Sequence, residues 1–241
     1  ISRRAISLAE SEVGTGKTHA YLIAALLAKR GRLNDFWLRG HYPRQSWAES
    51  AHMPVVISTS SIALQNAIVT DYIPELSRIL MLHGIIRTPL TAVIRKGKEH
   101  FICEKRLQRY LYNADERTQA LLAPYVGSCA PFDLAGADTL TLHVKRGVCV
   151  SGGKCAVSCS HAHRCRYFKH LREINDPTMD FQITNHNYFI ADTLHRINGR
   201  KPLLPHYQMI IIDEAHKFLD AARAMYGLEL TDTELPMLAQ E

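Results

Sequence analysis

Eight residues near the start, Ser11-Glu12-Val13-Gly14-Thr15-Gly16-Lys17-Thr18, restrict the fold more than any other feature of this 241-residue chain. They have the spacing of a phosphate-binding loop, in which successive backbone N–H groups and a helix N-terminus wrap phosphate oxygens. Such a loop works only between a strand and a helix, so its flanks must supply both. Residues 5–9 form a short strand-like run, and residues 18–30 carry apolar side chains at helical spacing with Gly31 as the stop. Each loop residue has a mechanical task. Gly14 and Gly16 allow backbone conformations and a close approach that a Cβ would block. Lys17 reaches the β and γ phosphates, and the Thr18 hydroxyl can ligate Mg²⁺. Ser11 stands where the strict pattern has glycine, a small residue that relaxes the match. Ser11, Gly14, Thr15, Gly16, Lys17 and Thr18 are therefore the expected ATP-binding set.

The complement of such a loop is an acidic residue at the end of a buried strand. Ile210-Ile211-Ile212-Asp213-Glu214-Ala215-His216 supplies it. Asp213 is expected to hold Mg²⁺ and Glu214 to polarise the attacking water, because phosphoryl transfer to water depends on an oriented nucleophile. An apolar run followed by Asp-Glu also starts many ordinary helices, whose dipole favours acids there; its pairing with the phosphate loop makes it specific. Lys17, Asp213 and Glu214 are the expected catalytic residues, and Asp213 and Glu214 complete the expected ATP-binding set.

Between these motifs the pattern alternates. Residues 54–58 and 90–94 read as buried strands, and residues 62–82 as a long amphipathic helix broken at Pro74. Residues 181–184 and 209–212 read as further strands, with helices over 188–197 and after Asp213. Nearly all-apolar strands separated by helices predict an α/β fold, a parallel sheet covered on both faces. Residues 96–172 lose the alternation and hold every cysteine, so we expect one α/β domain in two parts, 1–95 and 176–241, interrupted by a cysteine-rich insert over 96–175. Residues 31–53, with Trp37 and Trp47, read as an extended connection, either a docking surface or a loop over its own core.

Asp213-Glu214-Ala215-His216, with this form of phosphate loop, resembles the DEAH-type superfamily-2 helicases, and three further stretches resemble their DinG/XPD-like iron–sulfur branch. Residues 55–65, Val-Val-Ile-Ser-Thr-Ser-Ser-Ile-Ala-Leu-Gln, are similar to motif Ia, which implies nucleic-acid contacts by Thr59 and Gln65. Residues 96–103, Lys-Gly-Lys-Glu-His-Phe-Ile-Cys, are similar to the lead-in to the first cluster cysteine. Residues 183–188, Ile-Thr-Asn-His-Asn-Tyr, are similar to the stretch preceding the acidic strand. Glu12 and Val13 replace the family's more usual Gly-Thr without removing a phosphate contact. The resemblance implies a RecA-like sheet, 5′-to-3′ polarity on DNA, a role in DNA repair, and a second motor domain with an arginine finger that these residues do not include.

Six cysteines are present, Cys103, Cys129, Cys149, Cys155, Cys159 and Cys165, and four of them fall within 17 positions. With no leader-like stretch near the first residues, the thiols are expected in a reducing cytoplasm and to serve a metal rather than disulfides. The longest apolar run, residues 20–28, is about half of the roughly 20 residues a bilayer span takes, so no membrane is expected. The resemblance implies a [4Fe-4S] cluster, held by four thiolates with one distant ligand, Cys103. Cys149, Cys155, Cys159 and Cys165 offer one more than the short group requires, with Cys165 the firmest and Cys129 a spare thiol. His161 and His163 keep a mixed Cys/His Zn²⁺ site open as the alternative, and an insert that has lost its cofactor remains a third.

The net charge is +6, which favours a polyanionic partner. No acid lies between Thr139 and Arg172, whereas Lys145, Arg146, Lys154, Arg164, Arg166, Lys169 and Arg172 do. We expect Lys145, Arg146 and Arg164 to contact nucleic-acid phosphates. The expected activity is ATP-dependent helicase or translocase action on single-stranded or forked DNA, with an RNA:DNA hybrid as a further substrate. The alternative is an ATP-switched nucleic-acid-binding subunit, or a helicase recruited to a larger nucleoprotein complex such as a type IV CRISPR effector.

Overall fold

The computed structural model describes residues 6–12, 14–29, 53–151, 159–176, 178–207 and 209–227. Val13, Lys154, Cys155 and the connection with Trp37 and Trp47 lie outside the described residues, as do Ala5 and Arg30 at the ends of two expected elements. Two compact units are present. The first comprises Ile1–Ile94, Pro177–His186 and Leu204–Glu241; the second comprises Arg95–Asp176 and Asn187–Leu203.

The first unit is built on four parallel strands in the order β2-β3-β1-β4. These are β1 (Val55–Thr59), β2 (Ala92–Ile94), β3 (Phe181–Asn185) and β4 (Met209–Ile212). Every residue of β1 is buried, as a central strand covered on both faces requires. Val55 pairs with Phe181 on one side and Met209 on the other, so the strands run in step to Thr59, Asn185 and Ile212. Helix α1 (Lys17–Lys29) buries Leu22, Ala25 and Leu26 in a core with Val55, Ile57, Ile68, Ile73, Phe181 and Ile183.

The long helix after β1 differs from expectation at Pro74. Instead of breaking, the chain continues through α2 (Ile62–Ala67), a π-helical turn (Ile68–Tyr72) and α3 (Ile73–Leu82), with Pro74 in the first turn of α3. Proline lacks an N–H and its ring crowds the preceding turn; the wider π turn accommodates both. The strand expected over residues 5–9 is also different. Residues 6–12 belong to no strand. Ile6 is 90% and Leu8 92% exposed, and an apolar run without a hydrogen-bonded neighbour has no sheet to join.

The second unit is assembled from short helices: α4 (Glu104–Asn113), α5 (Glu116–Leu122), α6 (Leu142–Val148), α7 (Arg166–Ile174) and most of α8 (His186–Ile197). Ile102, Leu107, Leu122, Leu140, Val144 and Val148 form its main core, with Phe101, Val150 and Tyr167 as a second cluster. Antiparallel bridges join Phe101 to Asp133 and Ile102 to Cys149. Arg95 is buried, and its guanidinium donates to the Ile174 carbonyl at 2.7 Å and to Asn175 Oδ1 at 3.0 Å. No helix among the described residues is long and apolar enough to cross a membrane.

Candidate nucleotide site and cysteine cluster

The in-step strands of the first unit bring their carboxyl ends to one edge, the position at which open α/β sheets bind ligands. Gly14 and Gly16 have φ of 84° and 77°, a region that disfavours a Cβ. A Cβ placed at either would meet nothing within 4 Å, so the loop is an open cradle lined by backbone. The Ser11 and Thr15 hydroxyls bond each other, and Thr15 Oγ1 donates to the Glu12 carbonyl at 2.8 Å. Lys17 Nζ donates to the Ser11 carbonyl at 3.1 Å, which holds the ammonium over the loop's own backbone.

β4 carries Asp213 to the same edge, where its N–H donates to the Ser58 carbonyl at 2.8 Å. Burial pushes the Asp213 carboxyl above the usual carboxylate range, with neighbouring Glu214 adding to the rise. The Glu214 N–H, the Thr59 hydroxyl and the Lys17 ammonium oppose that rise. Lys17 and Asp213, 196 positions apart in the numbering, therefore feel one another at this edge. The Tyr21 hydroxyl is buried near Thr18 and Asp213, and burial raises its pKa strongly. It makes no hydrogen bond of good geometry among the described residues. Glu214 itself sits in the left-handed region, with φ 54° and ψ 45°, as the N-cap of α9 (Ala215–Tyr226). A non-glycine residue there costs on the order of 1–3 kcal/mol, and the surroundings must hold it. His216 Nε2 lies 3.4 Å from Glu214 Oε2. Thr18 and Asp213 offer the hard oxygen donors that Mg²⁺ prefers, and the cradle, the cation and the carboxylate pair together fit a magnesium nucleotide.

Thr59 and Gln65 are found elsewhere than at a solvent-facing surface. Thr59 is fully buried with its hydroxyl bonded to Asp213, and Gln65 is buried on α2 with no partner for its Nε2 among the described residues. Thr59 Oγ1 also accepts from the Ser61 N–H at 3.3 Å, so the hydroxyl is engaged within the first unit.

In the second unit Cys103 and Cys165 are the N-caps of α4 and α7. Both pack against the Phe101, Val150 and Tyr167 cluster. Burial raises the Cys165 pKa, opposed by the N–H groups of Phe168 and Tyr167 at the start of α7 and reinforced by Glu104 and Cys103. Cys149 is placed differently. It is buried in the main core with Leu107 and Val148, and its thiol donates to the Arg146 carbonyl at 3.5 Å. Cys159 is half-buried in the turn before Cys165, and Cys129 is exposed beside Ser128. Among the described residues no three His, Cys, Asp or Glu side chains gather closely enough to hold a metal ion. His161 has both ring nitrogens engaged, Nδ1 with Ser160 Oγ and Nε2 with Gln108 Oε1, each at 3.1 Å.

The basic run is divided by burial. Arg146 and Arg164 are exposed and Lys145 is half-buried, whereas Arg166 is turned inward. Arg166 pairs with Glu104 and donates to the carbonyls of Tyr125, Ala130 and Pro131, so its charge is spent within the unit. Composition gave no sign of that; only the fold reveals it.

No family model matches the chain. The chain is 28% identical over 241 residues to the 3'-5' exonuclease DinG of Bacillus subtilis (strain 168), covering 97% of this chain and 23% of that protein. It is 27% identical over 241 residues to the ATP-dependent DNA helicase YoaA of Escherichia coli (strain K12), covering 96% and 33%. It is 26% identical over 255 residues to the ATP-dependent helicase DinG of Mycobacterium tuberculosis (strain ATCC 25618 / H37Rv), covering 96% and 34%. The likeness to DinG-type helicases read from the motifs is thus present along nearly the whole chain, which spans about a quarter to a third of the length of these relatives.

Proposed function

We propose that this chain is the nucleotide-hydrolysing part of an ATP-dependent DNA helicase. The observation that carries the reading is the placing of Asp213, beside Thr59 and Glu214 at the carboxyl edge of one parallel sheet, within electrostatic reach of the Lys17 ammonium. In this reading the Gly14–Gly16 cradle and the N-terminus of α1 hold the phosphates. Lys17 leaves the Ser11 carbonyl to neutralise the β and γ phosphates, and Thr18 and Asp213 hold Mg²⁺. Bound MgATP supplies the phosphoanhydride that is cleaved. Glu214 orients a water and accepts its proton, and the work is positioning and charge stabilisation rather than covalent chemistry.

For the second unit the reading is a cluster-stapled, DNA-contacting insert. The burial of Cys149 and its bond to Arg146 support assigning the four cluster thiolates to Cys103, Cys155, Cys159 and Cys165. Arg146, Arg164 and the ammonium of Lys145 are the phosphate contacts. Polarity of 5′-to-3′ follows from the family resemblance and is read by unwinding forks with a single 5′ or 3′ tail.

The test is Glu214→Gln in the full-length protein. Nucleotide binding should persist while DNA-stimulated phosphate release falls by about 10²–10⁴-fold, the usual worth of a positioned general base. Unchanged hydrolysis rejects the reading.

A further inference from the structure

The first residue after β3 has no task in the mechanism above. His186 is 3% exposed, and three parts of the first unit converge on it. Its Nδ1 lies 2.7 Å from Ser58 Oγ at the end of β1. Its ring meets Phe218 of α9 edge-on, with centroids 5.3 Å apart. It also lies against the main chain of Asp213 and Glu214. Its Nε2 is buried and makes no hydrogen bond of good geometry among the described residues. Ser58 meanwhile ties back to the same turn, its carbonyl accepting from the Asp213 N–H at 2.8 Å.

One imidazole thus fills the space between the end of the central strand, the turn that carries both acidic side chains, and the helix that follows. That turn contains Glu214 in the left-handed region, a conformation that persists only when its surroundings over-determine it. The imidazole is the side chain that lies against that backbone, and its Nδ1 is held at the same time by Ser58 Oγ.

We propose that His186 is a positioning residue for hydrolysis, bridging Ser58 to the Asp213–Glu214 turn so that the Glu214 carboxylate is aimed at the attacking water. The proposal rests on the ATP-hydrolysing reading of the site. Its effect falls on turnover rather than on binding, because the phosphate cradle and Lys17 belong to the loop and α1, whereas His186 bonds Ser58 and packs on Phe218 and the Asp213–Glu214 turn.

The experiment compares His186→Ala, His186→Asn and His186→Phe in the full-length protein by steady-state ATP hydrolysis with single-stranded DNA. Asparagine can keep a polar atom near the Nδ1 position for Ser58, and phenylalanine keeps the ring volume against Phe218 without it. His186→Ala should lower kcat by about 10- to 100-fold, the scale of a small misplacement of a catalytic group, with KM for ATP changed less than about threefold. His186→Asn should recover most of that loss and His186→Phe little of it. Ser58→Ala should act in the same direction, and the Ser58→Ala/His186→Ala double variant should be no worse than His186→Ala alone. Equal or better recovery by phenylalanine, a kcat within twofold of wild type for alanine, additive losses, or failure of all three His186 variants to fold each makes the residue structural and overturns the proposal. A wild-type protein that does not hydrolyse ATP, or one indifferent to Glu214→Gln, instead overturns the reading on which it rests.

Discussion

The two units of this chain are held together in opposite ways. In the first, long-range pairing of four strands sets the register, and the core of Leu22, Ile57, Ile68, Phe181 and Ile183 covers the sheet. Its site residues come from segments far apart in sequence and meet because a parallel sheet delivers every strand end to one edge. In the second, helices of 7 to 12 residues, capped by Asp115, Thr141 and cysteines, pack around modest apolar clusters and a buried Arg166–Glu104 pair. Helices this short are marginal by themselves, so tertiary packing must hold them. A sheet can position chemistry with backbone alone; a bundle of short helices depends on its side-chain packing. Under the proposed reading a cluster held by the cysteines at the N-caps of α4 and α7 would add to that packing.

That contrast can be broken most directly at Cys165. If the second unit depends on a cluster, anaerobically purified protein should carry four irons with matching sulfide, and Cys165→Ser should lose them. Binding of a structural metal can contribute on the order of 10 kcal/mol, so the second unit should lose its cooperative melting transition. Nucleotide affinity of the first unit should change less than about threefold. Zinc alone, or joint melting of both units, would remove the distinction.

A finer test separates charge that faces water from charge spent inside. Replacing Lys145, Arg146 and Arg164 with Gln should reduce the salt slope of single-stranded DNA binding by about two, at roughly 0.7 per phosphate contact, and leave the melting temperature unchanged. Arg166→Gln should do the reverse. It leaves Glu104 and three carbonyls without their partner, a loss of about 3 kcal/mol, and should keep the slope. A slope that answers to Arg166 and ignores the other three would invert the assignment.

The smallest expected effect concerns the first unit alone. Asp213 has its carboxyl pKa raised by burial and by Glu214, so the folded chain holds that proton to higher pH than the unfolded chain. The linked penalty is absent below the unfolded carboxylate value of about 4, grows as pH rises from there towards the raised one, and is complete above it. Asp213→Asn should therefore raise the melting temperature of the nucleotide-free protein at neutral pH, while abolishing turnover. The gain should vanish on acidification; a gain independent of pH would assign it to packing.

Much of the first unit was legible because its signals are local. Three apolar runs read as strands form β1, β3 and β4 within about a residue of their expected bounds, and the helix after the phosphate loop begins at Lys17. The loop's two glycines announce their positive φ in the sequence because few other residues adopt it. Pro74 shows the limit of such reasoning. The penalty it carries was read correctly and the remedy was not, since a π turn is a property of how the whole helix is accommodated. Residues 6–9 show the same limit from the other side, for a strand exists only with a neighbour.

What the sequence determined by itself was chemistry that residue type and spacing enforce: a phosphate cradle, an acidic strand end, a crowd of thiols and a basic stretch. The tertiary structure decided which of these groups share a space. It turned Thr59 toward Asp213 and Arg166 toward Glu104, sent Cys149 into a core, and set His186 between Ser58 and the Asp213–Glu214 turn. The physical reason is that burial and pairing are properties of the packed chain. A side chain's type fixes what it can bond, and only the strands and helices around it fix whether it bonds a ligand, a neighbour or water.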